Sequence, residues 1–310
     1  MEYSALCIAH DAVVMSEEVR KRIEYFRSKG VTVCGDVGSE IASSLSDKGV
    51  TPDWIYSGTD ILNVVHRRLP DIDIYWLSSP ADSIVNASVS LRISGKKPYL
   101  WHPVSGEMKE ISYSFFDSRT TLELDFEPHD AYFIVFKEPT GVVSFDVPET
   151  KTTLLAKIDG AWNVTFEDKF GKKEEFEFER LLPWNQHRDS RIRYFSGTAT
   201  YKQTIGVPEF DGRLLLDLGT VHNIADVYIN GTFVSTLWKS PFRTDITDHL
   251  NGESIDIEIR VTNLWVNRLI RDSGSGTIEN RSYTSKSFYT PEDKLMPSGL
   301  VGEITLHSLL

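Results

Sequence analysis

The middle of the chain alternates hydrophobic and polar residues with a period of two, the pattern of half-buried β-strands. The alternating positions are Ile72, Ile74 and Trp76, then Val85, Ala87, Val89, Leu91 and Ile93, then Leu122, Leu124 and Phe126, with an apolar run from Ala131 to Phe136. Turn pairs such as Ser94-Gly95 and Ser105-Gly106 separate these stretches. Residues 61–150 therefore predict an antiparallel β-sandwich.

The C-terminal half repeats this alternation over a longer series of strands. Asn230-Gly231 lies between two alternating runs, and this dipeptide favours a type I′ hairpin turn because both positions accept positive φ. The predicted strands are Trp162–Phe166, Phe176–Phe178, Tyr201–Ile205, Leu214–Leu218, Ala225–Ile229, Phe233–Leu237, Ile255–Thr262 and Ile304–Leu306. About eight strands over residues 151–310 indicate a jelly roll.

Residues 1–60 show a different pattern, in which strands and helices alternate. Leu6 to Ala9 and Val31 to Cys34 are predicted strands. Ser16 is the predicted N-cap of the helix between them, and a second short helix follows at Ser39 to Gly49. Because a crossover connection gives a parallel strand pair, these residues predict a partial α/β segment of the flavodoxin-like kind. The predicted fold class of the whole chain is mainly β.

The formal net charge of −12 limits the possible partners. Nucleic acids and anionic membrane surfaces require a basic face, so both are excluded, whereas a neutral sugar is compatible. No stretch approaches the ~20 apolar residues of a membrane-spanning helix, and the N-terminus lacks the basic region of a signal peptide. Met1 runs almost directly into an apolar segment, as if the chain began inside a domain.

Three local features each leave two interpretations open. Cys7 and Cys34 fit buried free thiols or a disulfide between neighbouring strands, and neither has the spacing of a redox or metal site. His66-Arg67-Arg68 fits a polar strand edge or an interdomain ion pair. Residues 35–38 fit a strand-to-helix turn better than an anion-binding turn, because no basic residue supports the second interpretation.

The sequence lacks the common catalytic signatures. It contains no GxSxG, P-loop or GxGxxG motif. Glycosidic cleavage needs two facing carboxylates, and the scattered acids cannot be paired from sequence. No eightfold alternation of strands and helices is present, so the chain holds no (β/α)₈ barrel. We predict no catalytic residue, no metal and no cofactor, with a structural calcium in loop oxygens as the alternative.

Several motifs occur in an order that is typical of one enzyme family. The segment LDLGTVHNIADVYING, then LWVNRLIRD and PSGLVG, resembles the galactose-binding-like, sugar-binding jelly roll of family 2 glycoside hydrolases. VVHRRLPDIDIYWLSSP, YLWHPVSGE and AYFIVF precede it. The whole series resembles the C-terminal region of bacterial α-L-rhamnosidases of glycoside hydrolase family 106. The family's catalytic barrel is absent here, so its catalytic carboxylates are not transferred to any residue.

The resemblance implies a sugar site in the jelly roll. A sugar presents apolar C–H faces and hydroxyl groups, so its site needs an aromatic platform beside planar polar side chains. The candidates lie in three predicted loops: Trp184 and His187; Trp238; and Trp265, Asn267, Arg268, Arg271 and Asp272. The third group is preferred because it joins an indole to amide, guanidinium and carboxylate groups. The alternatives are tryptophans of the core or of a domain interface, and an ion-pair network that holds a barrel.

The sequence therefore predicts a non-catalytic region of a glycoside hydrolase that binds carbohydrate or supports a catalytic barrel domain or subunit. The resemblance implies a rhamnose-containing glycan as the ligand. Two other hypotheses stay open: part of an active glycoside hydrolase, and an interaction scaffold without sugar affinity. Members of the family are usually periplasmic or extracellular, although this chain shows no export signal.

Overall fold

The computed structural model describes residues 5–8, 15–34, 45–47, 49–59, 61–167, 171–274, 282, 284–286 and 288–310. The chain is mainly β and separates into two compact units. The first unit comprises residues 1–77, 86–125 and 131–146, and the second comprises residues 78–85, 126–130 and 147–310. Within the described part of the chain, no helix is long and apolar enough to cross a membrane.

The first unit begins with the predicted α/β segment. Strands β1 (Ala5–Cys7) and β2 (Thr32–Cys34) pair in parallel, and helix α1 (Glu17–Ser28) connects them. The predicted N-cap is confirmed, because the Ser16 hydroxyl accepts a hydrogen bond from the Val19 N–H at 3.3 Å. Predictions for Ala9, for the turn at residues 35–38 and for the start of the second helix at Ser39 lie outside the described residues.

The two cysteines lie opposite each other in this parallel pair. Both are free thiols, Cys34 buried and Cys7 exposed, so the prediction of buried free thiols is right for Cys34 alone. Burial raises the pKa of the Cys34 thiol, and the neighbouring Cys7 adds to the shift. Cys34 is therefore kept in its protonated form at neutral pH.

A β-sandwich forms the rest of the first unit. Its strands are β3 (Trp54–Ser57), β4 (Asn63–Arg68), β5 (Asp73–Ser78), β6 (Val85–Leu91), β7 (Lys96–Trp101), β8 (Met108–Glu110), β9 (Tyr113–Phe116), β10 (Arg119–Phe126), β11 (Ala131–Pro139) and β12 (Ser144–Phe145). They form two five-stranded sheets, ordered β12-β9-β10-β6-β3 and β4-β5-β11-β7-β8. β3 pairs with β6 although it precedes residue 60. The boundaries at residues 60 and 150 stay predictions.

Strand β5 buries the face that carries Asp73 and Tyr75, and not the face that carries the apolar Ile74 and Trp76. Asp73 and Tyr75 are buried, whereas Ile74 and Trp76 are only partly buried on the opposite face. The Asp73 carboxylate is compensated by His66, whose Nε2 lies 3.2 Å from Oδ1, and by Lys96, which donates to Oδ2 at 3.1 Å. A buried charge is tolerated only with such partners.

The other nitrogen of His66 lies 2.7 Å from Asp53 Oδ2, and the imidazole ring stacks on Tyr75 at a centroid distance of 4.0 Å. All of these residues belong to the first unit. These contacts form a polar network inside one unit, and His66 itself lies on the edge strand β4. Of the two interpretations of His66-Arg67-Arg68, the structure supports the polar strand edge.

The second unit is the predicted jelly-roll-like sandwich. Its strands are β13 (Thr152–Lys157), β14 (Trp162–Glu167), β15 (Lys173–Phe178), β16 (Thr198–Gly206), β17 (Arg213–Asp217), β18 (Thr220–His222), β19 (Ile224–Ile229), β20 (Thr232–Leu237), β21 (Arg243–Asp245), β22 (Ser254–Thr262), β23 (Gly299–Val301) and β24 (Thr305–Leu309). A six-stranded sheet is ordered β15-β14-β16-β22-β19-β20, and a four-stranded sheet β13-β24-β17-β21. β18 pairs with β23.

Short helical segments interrupt this β structure: α2 (Ser190–Arg193), α3 (Val266–Asp272) and two 3₁₀ turns (Trp184–Gln186 and Thr247–His249). The hairpin predicted at Asn230-Gly231 is confirmed, since both residues have positive φ, 51° and 78°, between β19 and β20. Alternating residues such as Trp162, Val164 and Phe166 are buried in one core cluster.

One tryptophan lies at the centre of that core. Trp184 is completely buried, and its indole N–H donates a hydrogen bond to the Tyr201 hydroxyl at 2.6 Å. Its ring packs against Phe166 and Phe195. Strand β23 passes so close that a Cβ atom on Gly299 would lie 2.6 Å from Cδ1 and Cε2 of Trp184. Gly299 also has φ 95°, which favours glycine.

We predict that Gly299→Ala destabilises the second unit by roughly 1–3 kcal/mol more than Gly231→Ala, because only the first change forces a methyl group into a packed ring. Gly231 is the matched control, since it also has positive φ and a Cβ atom added there would meet nothing within 4 Å. Urea unfolding of both variants measures the difference. Equal losses of stability would show that backbone strain alone, and not contact with Trp184, requires glycine here.

Candidate functional site

The first predicted group, Trp184 and His187, faces inward. Trp184 is fully buried and offers no ring face to a ligand. His187 stacks on Phe178 at a centroid distance of 5.6 Å and accepts a hydrogen bond from the Asp189 N–H at 3.1 Å through Nδ1. These contacts fix the segment that leads into α2.

The second predicted group retains an exposed indole. The Trp238 side chain is 55% exposed, in the segment after β20. Its neighbour Lys239 forms a largely buried ion pair with Asp130 at 2.8 Å. Farther on, Arg243 donates to Asp217 at 2.7 Å. The two cations that follow Trp238 in the sequence are therefore held by carboxylates of the same unit.

The third predicted group lies on a helix and not in a loop. Trp265 is the N-cap residue of α3, and the following residues continue at helical spacing. Asn267 faces the core and is 2% exposed. Its Nδ2 donates to the Met296 carbonyl at 2.7 Å, and its Oδ1 accepts from the Met296 N–H at 2.8 Å. Asn267 thus anchors the segment before β23, and its amide is not available to a sugar.

Asp272 organises the charges of α3. Its carboxylate is buried and accepts hydrogen bonds from Arg268 Nε at 2.9 Å and from Arg271 Nε at 2.8 Å. The Ser282 N–H donates a third hydrogen bond at 2.6 Å. Burial opposes ionisation of Asp272, but the Ser282 N–H and the two guanidinium groups outweigh it, so the pKa of Asp272 lies below its ordinary value. The carboxylate is consequently ionised and holds both arginines in place.

Trp265 and these arginines form one continuous row, which we name the Trp265 row: Trp265, Arg268, Arg271 and Asp272. Residues three and four apart are neighbours on a helix surface, which places Arg268 between Trp265 and Asp272. The Trp265 side chain is 54% exposed at the open end of the row. An exposed indole therefore lies one helical turn from Arg268, and the Asp272 carboxylate holds the guanidinium groups of Arg268 and Arg271. This arrangement can stack on a sugar ring and donate hydrogen bonds to its hydroxyls.

The sequence did not indicate a polar groove on the outer face of the six-stranded sheet. The groove has a volume of about 690 Å³ and is lined by Thr165, Glu167, Lys173, Glu175, Thr198, Thr200, Lys202, Glu258 and Arg260. Several of its charges are paired, with Lys202 and Arg260 both contacting Glu258, at 2.7 Å and 2.6 Å. Among the residues that the structure describes, no aromatic side chain lines it. This composition is typical of a solvated sheet face, and we assign it no ligand.

No group of three or more His, Cys, Asp or Glu side chains gathers into a metal-binding arrangement among the residues that the structure describes. The structural calcium proposed as an alternative from the sequence therefore has no ligand set assigned to it.

The fold is that of a β-sandwich protein, and comparisons with known proteins show that its relatives are glycoside hydrolases. Residues 27–115 match the model of glycoside hydrolase family 106, described as alpha-L-rhamnosidase. The structure resembles that of a rhamnosidase from Novosphingobium sp. PP1Y, with a TM-score of 0.80 and 34% identity over 89% of this chain. A protein of Formosa agariphila named "Putative beta-glucuronidase" is 33% identical over 49% of this chain. These matches confirm the resemblance to the α-L-rhamnosidases of family 106.

The matched proteins are much longer than this chain. It covers 26% of the rhamnosidase and 15% of the Formosa agariphila protein. The similarity to these two proteins is therefore established only for the part of each that aligns with this chain.

We predict that Asp272→Asn destabilises the protein at pH 7 by about 1–3 kcal/mol, because it leaves two guanidinium groups without their carboxylate. A lowered folded-state pKa stabilises above the unfolded value near ~3.9, and this contribution is lost as the pH falls through the folded-state pKa. The difference from wild type should therefore shrink in acid. Urea unfolding at pH 7 and below pH ~4 measures it.

The control for this prediction is Asp211→Asn, which changes an exposed carboxylate. It should leave the free energy of unfolding nearly unchanged at both pH values. A loss for Asp272→Asn that is the same in acid and at neutral pH would contradict an ionised, stabilising Asp272.

Proposed function

We propose that this chain is a non-catalytic, carbohydrate-binding region of a glycoside hydrolase related to α-L-rhamnosidases. The observation that carries the proposal is the Trp265 row, in which an exposed indole lies one helical turn from Arg268 and a buried carboxylate holds both Arg268 and Arg271. The described part of the chain consists of sandwiches and a short α/β segment, and its elements do not alternate as a (β/α)₈ barrel requires. Catalysis is accordingly not assigned to any of its residues.

The chemistry of the row suits a neutral sugar. The C–H face of a pyranose ring packs on an indole, while its hydroxyl groups accept hydrogen bonds from guanidinium N–H groups. Because Asp272 already fixes Arg268 and Arg271, little side-chain entropy is lost when a ligand binds. The net charge of −12 is compatible with an uncharged ligand. The printed name of the related rhamnosidase makes a rhamnose-containing glycan the first ligand to test.

A second candidate function is structural support of a catalytic domain. The inward-facing side chains of Trp184 and Asn267 favour it, because they place two of the predicted sugar contacts in internal packing. In that case the Trp265 row would contact a polypeptide. The two functions differ in whether a free saccharide binds.

We predict that Trp265→Ala weakens binding of a rhamnose-containing oligosaccharide about tenfold, or removes one site from the titration, because the stacking platform is lost (~1.4 kcal/mol). Isothermal titration calorimetry of the full chain at millimolar ligand measures this change. Leu264→Ala is the matched control, since Leu264 is 50% exposed next to Trp265 and should not alter the affinity.

Two outcomes would contradict this function. If no saccharide binds at millimolar concentration, the support function replaces it. If the pure chain hydrolyses para-nitrophenyl α-L-rhamnopyranoside and loses that activity when one carboxylate is changed, the chain is catalytic and the proposal is wrong.

A further inference from the structure

The chain contains two cysteines, and the fold makes them neighbours. Cys7 on β1 is the register partner of Cys34 on β2, although residues 8–33 separate them in the sequence. The Ile8 N–H donates a hydrogen bond to the Cys34 carbonyl at 3.2 Å, which continues the parallel pairing directly after Cys7. The strand pair thus creates a dithiol that the spacing of the two residues in the sequence does not reveal.

The register of the two strands meets the geometric requirement of a disulfide. Neighbouring strands lie about 4.8 Å apart, and the Cα atoms of disulfide-bonded cysteines are usually ~4.4–6.8 Å apart. Because side chains alternate between the two faces of a sheet, residues in register project from the same face. A hydrogen bond to the Cys7 side chain is one cause of the raised pKa of the Cys34 thiol, so the two side chains lie close together. The bridge therefore requires no change of strand register.

The two thiols differ in their access to solvent. Cys34 is completely buried, whereas Cys7 is exposed. Burial raises the pKa of the Cys34 thiol, which lowers the fraction of reactive thiolate at neutral pH. An oxidant in solution therefore reaches Cys7 first, and Cys34 reacts only with a sulfur that Cys7 already holds. An accessible thiol with a second thiol beside it is typical of reversible cysteine oxidation.

We propose that Cys7 and Cys34 are a redox-active pair that forms a reversible disulfide by exchange with a small-molecule disulfide. The Cys7 sulfur first loses its proton and attacks the small disulfide, whose S–S bond breaks and whose released half takes up a proton. The Cys34 sulfur then attacks Sγ of Cys7, and the second small thiol leaves with the Cys34 proton. The protein gives up two hydrogen atoms with their electrons, and the small disulfide gains them. This modification is independent of sugar binding.

The bridge closes a loop that contains helix α1. Of the 12 residues of this helix, only Ile23 is buried. A helix with so few buried contacts opens locally at low cost. A disulfide between Cys7 and Cys34 removes many open conformations of residues 8–33 and so opposes this opening. Oxidation therefore fastens α1 to the strand pair, and reduction leaves the helix free to open.

The first test follows the exchange chemistry in the full chain. Reduced protein is incubated with oxidised glutathione, the remaining thiols are alkylated after unfolding, and the product is measured by intact mass and non-reducing peptide mapping. We expect the wild type to lose two hydrogens, to carry no glutathione and to yield the Cys7 and Cys34 peptides joined. Cys34→Ala should instead keep one glutathione on Cys7. Cys7→Ser should stay unmodified, because the remaining thiol is buried.

The second test measures the opening of α1 by limited trypsin digestion. Arg27 is exposed in the last turn of α1, and Lys109 is an exposed control on β8, outside the loop but in the same unit. We expect oxidation to slow cleavage after Arg27 about tenfold or more, while cleavage after Lys109 stays nearly unchanged. Dithiothreitol should restore the fast cleavage. Cys7→Ser changes an exposed residue, keeps the fold and should show no redox dependence.

Four results would overturn the inference. A lasting mixed disulfide on Cys7 of the wild type, with Cys34 still open to alkylation after unfolding, would show that the two sulfurs do not meet. Dimers joined through Cys7 would assign the accessible thiol to contacts between chains. A joined pair that leaves cleavage after Arg27 unchanged, or slows it no more than cleavage after Lys109, would remove the control of α1. Redox-dependent cleavage in Cys7→Ser would assign the effect to another group.

Discussion

The hydrogen bond from the buried Trp184 indole to the Tyr201 hydroxyl is the contact on which the second unit depends. A buried indole N–H needs an acceptor, and a tightly packed core has no room for water to supply one. Burial raises the pKa of Tyr201, so its hydroxyl stays protonated. The phenol oxygen also forms a hydrogen bond with the backbone of Leu300 in strand β23. One small polar contact therefore joins the segment before α2, the central strand β16 and the closing strand β23.

The candidate site is positioned through that same closing segment. The Trp184 backbone N–H donates to the Ser298 carbonyl at 2.8 Å, and the Ser298 hydroxyl lies 3.3 Å from Asn267 Nδ2 on α3. Asn267 thus anchors α3 to the core. At the other end of the helix, the Asp272 carboxylate binds Arg268 and Arg271. The exposed Trp265 ring is the outermost part of this series. Its orientation is set by contacts that begin in the core, which explains why so much of the predicted sugar site is occupied by internal bonds.

Local patterns predicted most of the strands, the N-cap at Ser16 and the turn at Asn230, because each depends on residues within a few positions. The inward orientation of Asp73 escaped prediction, since its partners His66 and Lys96 lie on other strands and only the folded sheet brings them together. Asn267 was placed in a sugar site for the same reason: its partner Met296 is distant in sequence. Helix α3 also escaped prediction, because seven residues are too few to form a stable helix without tertiary contacts, so the sequence pattern alone indicates a loop.

The close approach of Gly299 to Trp184 has a consequence for how such sequences diverge. As long as a full indole fills the core, the backbone of β23 admits no side chain at position 299. A smaller residue at position 184 would remove the steric contact, although φ of 95° at position 299 would still favour glycine, and the Tyr201 hydroxyl would lose its indole partner. The three positions are thus expected to change together or not at all during evolution. A chimaera that exchanges only the C-terminal strands between two such proteins would have to carry the matching residues of the 184 segment with it.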